Sequence, residues 1–279
     1  MPHVEGVRTG DEEVLLYVED VGAGPAIVLL HPWPFDSQIW ELQVAFLVES
    51  GFRVVTYDRR GFGRSTRPWS GYDYSTLAGD LHAVVTQRGL GTFSLVGASL
   101  GGGEVVQYLK EFGDDRVRSV VLASAILPAI VASTTNPEGG MSPLVYDDYL
   151  SSARNYRLAF LDQFLTSAFS VRGELVIDDL SREHALRAAE DSYPRAIVEC
   201  LRTWASADLR AVLATVTVPT LVLHASDDAI FPVETAGART HRALASGHLE
   251  IVPNAPHAMQ LTHAAQFNRA IVSFLRRPQ

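Results

Sequence analysis

The segment FSLVGASLGGGEVVQYLKEF, residues 93–112, sets one serine between an apolar run and a helical pattern. Phe93-Ser94-Leu95-Val96 is short and continuous, as expected of a strand buried on both faces. VVQYLKEF, after the glycines, fits a helix. The five residues from Gly97 to Gly101 match G-x-S-x-G at that junction. In such a turn the serine sits at a strained tip, its hydroxyl lifted above the sheet. Glycines two residues to either side let the helix lie close against the strand. Ser99 is therefore the candidate nucleophile, and the N–H of Leu100 is a candidate oxyanion donor. The competing reading, a glycine-rich turn with an incidental serine, is weakened by the strand before it and the helix after it.

Working outward, other short apolar runs repeat the strand pattern: EVLLYVE (13–19), AIVLL (26–30), RVVTYD (53–58), VRSVVLAS (117–124), TLVLHA (220–225) and HLEIVP (248–253). VEGVRT, near the N-terminus, is placed to pair with the first of these as a hairpin. Helix-length segments separate them, at 39–50, 74–89, 102–113, 233–244 and 261–277. This alternation predicts an α/β architecture: a mostly parallel eight-stranded sheet flanked by helices. It lapses from 128 to 215, where only helical patterns and the loop TTNPEGGMSP occur. Residues 1–127 and 216–279 are expected to form the core, and 128–215 a helical cap inserted after the sixth strand. A cap placed there would lie over the carboxyl ends of the strands, where open α/β sheets bind ligands.

A serine hydroxyl needs a base, and in this type of fold the order along the chain is serine, acid, histidine. Among the 9 histidines, His257 stands apart. It follows the last strand in a proline-containing loop, whereas His241 and His263 sit in helical patterns, His248 begins a strand, and His224 ends one as a core histidine would. The acid should follow the preceding strand, where SDD offers Asp227 and Asp228, and spacing does not separate them. The second oxyanion donor belongs in the loop after an early strand, here HPWPFD (31–36). Pro32 and Pro34 have no N–H, which leaves Trp33 as the donor between them.

The 279-residue chain is 47% hydrophobic with a formal net charge of -9. It has no basic face for nucleic-acid phosphates. No apolar run approaches the ~18 residues of a membrane span, and MPHVEGVRTGDEEV lacks the basic start and apolar core of a signal peptide. A cytoplasmic location is expected. The single cysteine, Cys200, reads as a buried, inert thiol in a helix. RRGFGRST lacks the third glycine of a dinucleotide fingerprint, and no P-loop or metal-ligand spacing occurs. The segment 58–65 reads as a structural turn. No cofactor and no metal are implied. The partner expected is a small-molecule ester, and the oligomeric state is left open, a homo-oligomer included.

Together these residues resemble the α/β-hydrolase superfamily, and within it the bacterial cofactor-free haloperoxidase, arylesterase and perhydrolase group. The resemblance runs from about residue 14 to the C-terminus. It is carried by HPWPFDSQIW, YDRRGFGRS, SLVGASLGGGEVVQYL, NPEGG, VPTLVLHASDDAIFP and PNAPHA. In such sequences the acid stands four residues before a proline, which selects Asp228 and leaves Asp227 as a turn residue. The resemblance implies a Ser99–His257–Asp228 triad hydrolysing small carboxylic esters, with His31 and Pro34 in the substrate pocket. A proline at position 34 is associated in that group with an acyl-enzyme that accepts hydrogen peroxide as well as water. Two departures from its pattern stand out: Pro32 is where glycine is usual, and Ala98 and Leu100 flank the serine in place of larger or polar residues. The alternatives are a lactonase or C–C hydrolase on the same triad, and a non-turnover ligand receptor on the same scaffold. A dehalogenase or epoxide hydrolase would need a carboxylate where Ser99 stands.

Overall fold

The computed structural model describes residues 2–277. Its strands are β1 (His3–Glu5), β2 (Leu15–Gly22), β3 (Ala26–Leu30), β4 (Arg53–Tyr57), β5 (Phe93–Ala98), β6 (Val117–Ala123), the two-residue β7 (Ser170–Val171) and β8 (Glu174–Leu175), β9 (Thr220–Ala225) and β10 (His248–Val252). Eight of them form one sheet in the order β1-β2-β4-β3-β5-β6-β9-β10. β1, β2 and β4 pair antiparallel, and every other neighbour is parallel. β3, β5 and β9 are buried along their whole length, which is why they read as unbroken apolar runs rather than as alternation.

The helices of the core are α1 (Glu41–Glu49), α2 (Tyr74–Gln87) and α3 (Leu100–Phe112), with α4 to α8 in the inserted region. A 3₁₀ turn, Ser37–Trp40, precedes α1. Asp36 splits it from the preceding loop by accepting the Gln38 N–H at 2.9 Å, as a short side chain at a helix start does. Between β6 and β9 lie α4 (Pro143–Asn155), α5 (Arg157–Ala168), α6 (Asp179–Asp191), α7 (Pro194–Ser206) and the short α8 (Arg210–Leu213). The chain closes with α9 (Gly237–Ala243), α10 (Met259–Thr262) and α11 (Ala264–Leu275).

Two differences from the sequence reading have simple causes. The inserted region is not wholly helical: β7 and β8 form a ribbon closed by Arg172 and Gly173, both at positive φ. A pair of two-residue strands is too short to leave a periodic signal. The helix expected from 233 begins only at Gly237, because the Thr235 and Ala236 N–H groups both bond back to the Pro232 carbonyl in a turn.

In-register parallel pairing brings the strand ends into line. Leu30 lies beside Gly97, Ala98 beside Ala123, and Ala225 beside Val252. The loops that carry His31–Phe35, Ser99, Asp228 and His257 therefore all leave from the same edge of the sheet. No helix among the described residues is long and apolar enough to cross a membrane.

Candidate active site

Ser99 joins β5 directly to α3 with φ 52 and ψ -117, a backbone conformation that costs a non-glycine residue about 1–3 kcal/mol. The glycines around it explain how the turn is tolerated. A Cβ on Gly97 would stand 2.4 Å from the Gly101 carbonyl oxygen, and one on Gly101 would stand 2.7 Å from the Leu30 carbonyl oxygen. Any side chain at either position would push α3 away from the sheet. With both bare, the N-terminus of α3 sits under the serine.

The hydroxyl meets its partners from two other loops. His257 Nε2 lies 3.1 Å from Ser99 Oγ, and His257 Nδ1 lies 2.7 Å from Asp228 Oδ2. With Nδ1–H donating to the carboxylate, Nε2 presents its lone pair to the Ser99 hydroxyl. The carboxylate is fixed on its other side, where Oδ1 accepts the Ile230 and Phe231 N–H groups at 3.0 and 2.8 Å. Burial works against its charge. The adjacent His257, His224 and the Phe231 N–H outweigh that cost and hold the Asp228 carboxyl below its ordinary pKa. Asp227 points elsewhere: its oxygens take Ser226 Oγ at 2.5 Å and Arg172 Nε at 3.1 Å.

Phe231, which the sequence reading passed over, and His224, which it took for a core histidine, complete this support. Phe231 gives its N–H to Asp228, and its ring meets the His257 ring edge-on with centroids 5.5 Å apart. Its carbonyl accepts His224 Nε2–H at 2.8 Å, and that same nitrogen stands 3.5 Å from Asp228 Oδ2. His224 is buried as expected, but its Nδ1 has no hydrogen-bond partner among the described residues. Burial first of all keeps it neutral, pushing its pKa down.

The expected oxyanion donors lie at the head of α3, on Leu100, and in the turn after β3, on Trp33. Among the described residues, neither the Trp33 nor the Leu100 N–H enters a turn or loop hydrogen bond, and the first N–H groups of a helix have no partner within it. The turn is closed by the Phe35 N–H on the Pro32 carbonyl at 3.1 Å, across a cis Trp33–Pro34 peptide. The Trp33 ring packs edge-on against Phe164 of α5, centroids 4.9 Å apart. Its indole N–H is buried without a partner among the described residues.

His31 does not line the pocket, contrary to the expectation from its neighbours in sequence. It is buried under the turn, where Nε2 accepts the Arg59 N–H at 2.9 Å, so that Nδ1–H can donate to the Pro32 carbonyl at 3.0 Å. Burial, and then the Arg59 charge, press its pKa well down and keep it neutral. Pro34 is likewise absent from the walls of the hollow; its carbonyl accepts Ser192 Oγ at 2.9 Å and so ties the turn to the inserted region. Beneath His31 lies a fully buried ion pair, Arg59–Glu104, at 2.8 Å. Tyr57 donates its hydroxyl to Glu104, and Arg59 Nη2 donates to the His31 carbonyl at 3.0 Å. Burial opposes the Arg59 charge, and the Glu104 carboxylate more than offsets it, raising its pKa.

The hollow in front of Ser99 measures about 10 Å³ and is walled by Trp33, Phe35, Ala98, Phe164, Ala168 and His257, among others. That is room for about one water molecule.

Comparison with known proteins agrees with this fold. The model of the alpha/beta hydrolase fold matches residues 25–264. The chain belongs to the α/β-hydrolase family. It is 32% identical to the bifunctional esterase/perhydrolase of Acinetobacter calcoaceticus, over 97% of this chain and 99% of that one. It is also 32% identical to a non-heme chloroperoxidase of Burkholderia pyrrocinia, over 99% of this chain and 100% of the other. The crystal structure of a bromoperoxidase from Bacillus anthracis superposes with a TM-score of 0.94 at 37% identity, covering 99% of both chains. The α/β-hydrolase core accounts for the sheet order and the elbow and for most walls of the hollow, to which the inserted helices add Phe164 and Ala168.

Proposed function

We propose that this α/β-hydrolase is a serine esterase for small carboxylic esters, working through an acyl-enzyme on Ser99. The observation that carries the reading is the unbroken chain from Ser99 Oγ through His257 to Asp228, at 3.1 and 2.7 Å. Ser99 Oγ attacks the ester carbonyl carbon while its proton passes to His257 Nε2. The carbonyl oxygen takes the negative charge and is held by the Trp33 and Leu100 N–H groups, each such donor being worth roughly 2.7–4 kcal/mol of barrier. The intermediate collapses, the C–O bond to the alcohol breaks, and the alcohol leaves with the proton from His257. Water then attacks the acyl-serine, giving its proton to His257, and the acid departs as Ser99 recovers its hydrogen. Asp228 holds the imidazole in the tautomer both halves require and stabilises its charged form. Residues 128–215 act in this reading as a cap whose Phe164 and Ala168 narrow the acyl site.

Hydrogen peroxide in place of water would release a peracid by the same steps. The turn at Pro34 and the esterase/perhydrolase name of the Acinetobacter relative favour this second activity. A peracid oxidises halide in solution, which gives haloperoxidase chemistry without an oxidant held by the protein.

The test is p-nitrophenyl acetate turnover alongside fluorophosphonate labelling read by mass spectrometry. The parent protein should hydrolyse the ester and carry one label on Ser99. Ser99→Ala should lose the label and about 10⁴–10⁶-fold of kcat. Equal rates in the two proteins would sink the assignment.

A further inference from the structure

Gln260 follows His257 by three residues, at the start of α10. Its backbone is fixed from the core. Gln43 Nε2–H of α1 donates to the Gln260 carbonyl at 2.9 Å and to Asn268 Oδ1 of α11 at 2.9 Å. The side chain is placed differently. Gln260 is 3% exposed, yet its amide makes no hydrogen bond among the described residues. Buried amides nearly always have a partner, in the protein or in ordered water. Nor is this amide sealed in, for it does not stand with the Trp33 indole among the buried, partnerless atoms. The space that Gln260 lines is the hollow in front of Ser99.

That hollow has the size and the chemistry for one water molecule. It measures about 10 Å³, and apart from the sealed Trp33 indole the polar side chains of its wall are Ser99, His257 and Gln260. A buried water needs a space of that order and two to four polar partners. An amide suits a neutral guest: its N–H donates, its oxygen accepts, and it does not titrate beside the imidazole.

We propose that Gln260 is a further residue of the reaction, holding by its amide the water that deacylates Ser99. Gln260 Oε1 accepts one hydrogen of that water, and the other passes to His257 Nε2. The water oxygen bonds to the acyl carbon, the bond from that carbon to Ser99 Oγ breaks, and the serine takes its proton back from His257. An acyl group is larger than the hollow and has to displace part of its wall. Phe164 and Ala168 of that wall belong to the inserted α5, whereas His257 and Gln260 share one segment of the core, so the amide keeps its place beside the imidazole when the insert yields. The role rests on the esterase reading and concerns the second half-reaction alone.

The experiment is a stopped-flow burst with p-nitrophenyl acetate on Gln260→Met, which keeps the length of the side chain and removes the amide. Acylation, and fluorophosphonate labelling of Ser99, need no water and should stay within about twofold of the parent; the labelling also shows that the variant is folded. Deacylation should slow by about 10²-fold. One p-nitrophenol per enzyme molecule then appears in the burst, a slow phase follows, and acetyl-Ser99 accumulates and is seen by mass spectrometry. In the steady state kcat and KM should fall together, with kcat/KM kept. A residue that did no more than steady His257 would slow both halves, because the imidazole serves both. A high-resolution crystal structure of the parent gives a readout without turnover: a water within hydrogen-bond reach of the Gln260 amide, lost in Gln260→Met. Equal slowing of both halves, unchanged deacylation in Gln260→Met, or a parent crystal without that water would overturn the proposal. If the parent itself releases no p-nitrophenol and Ser99 takes no label, the esterase reading is what fails, and this role fails with it.

Discussion

Asp228 makes no contact with a substrate in this geometry, yet its substitution should be nearly as damaging as that of Ser99. An asparagine would fit the same space and keep the Ile230 and Phe231 bonds to its oxygen. Its amide, however, would face His257 Nδ1 with a donor, turning the imidazole to the wrong tautomer. Asp228→Asn should therefore lose about 10⁴-fold in kcat while remaining folded; steady-state rates beside a circular dichroism spectrum check this. The same carboxylate has a stability signature. Its pKa is held below the ordinary value in the folded protein, so its contribution to stability is present above about pH 4, the unfolded value, and is lost as pH falls through the lower folded one. Melting temperatures of the parent should drop faster between about pH 5 and pH 2 than those of Asp228→Asn. Parallel curves would mean that the carboxylate contributes nothing through its charge.

Between elements, the Arg59–Glu104 pair is the joint on which the turn after β3 stands. It links α3, through Glu104, to Tyr57 at the end of β4 and to His31 at the end of β3. Glu104→Gln would leave the Arg59 charge buried without a counter-ion, at a cost of about 3–5 kcal/mol. Because Arg59 holds both the ring and the carbonyl of His31, activity should fall as well, by more than the fraction of unfolded protein explains. Urea unfolding together with the rate per folded molecule measures both. This network also marks the limit of what the sequence carried. Buried parallel strands announce themselves as unbroken apolar runs, so 26–30 and 220–225 match the observed strands end to end. The elbow was legible because Gly97, Ser99 and Gly101 are neighbours in the chain. His257 was placed by its position after the last strand, but choosing Asp228 over Asp227 took a family resemblance, because the difference lies in which oxygen faces the imidazole. The place of His31 was misread because its partner Arg59 is 28 residues away, and periodicity says nothing about such pairs. Phe231 and His224 were hidden for the same reason: their roles come from one carbonyl and one ring that only the fold brings to Asp228.

At the scale of the whole molecule, the inserted region is fastened unevenly. α4, α5 and α6 pack chiefly against one another and α7, whereas α7 also packs on α3. The Tyr193 N–H bonds to the Gly61 carbonyl at 2.9 Å, and Thr203 Oγ1 to the Tyr72 carbonyl at 2.8 Å. Gly61 is bare where a Cβ would stand 2.4 Å from that of Ala196, so the α7 backbone lies hard against the core. On these contacts α7 is held against the core, and α4 to α6 are the parts of the inserted region that an opening would involve. Cys200 reports on this directly. It is wholly buried on the inner face of α7, and burial pushes its thiol up to about 12, so it is inert while α7 stays in place. Its reaction with a disulfide reagent should therefore require the whole molecule to unfold: the free energy of opening measured by labelling should equal that of global unfolding, with the same dependence on denaturant. Labelling at a fraction of that energy, with a shallow slope, would show α7 lifting off with the rest of the insert. The acyl site would then be bounded by a moving lid, and its small volume would not limit the acids that reach Ser99.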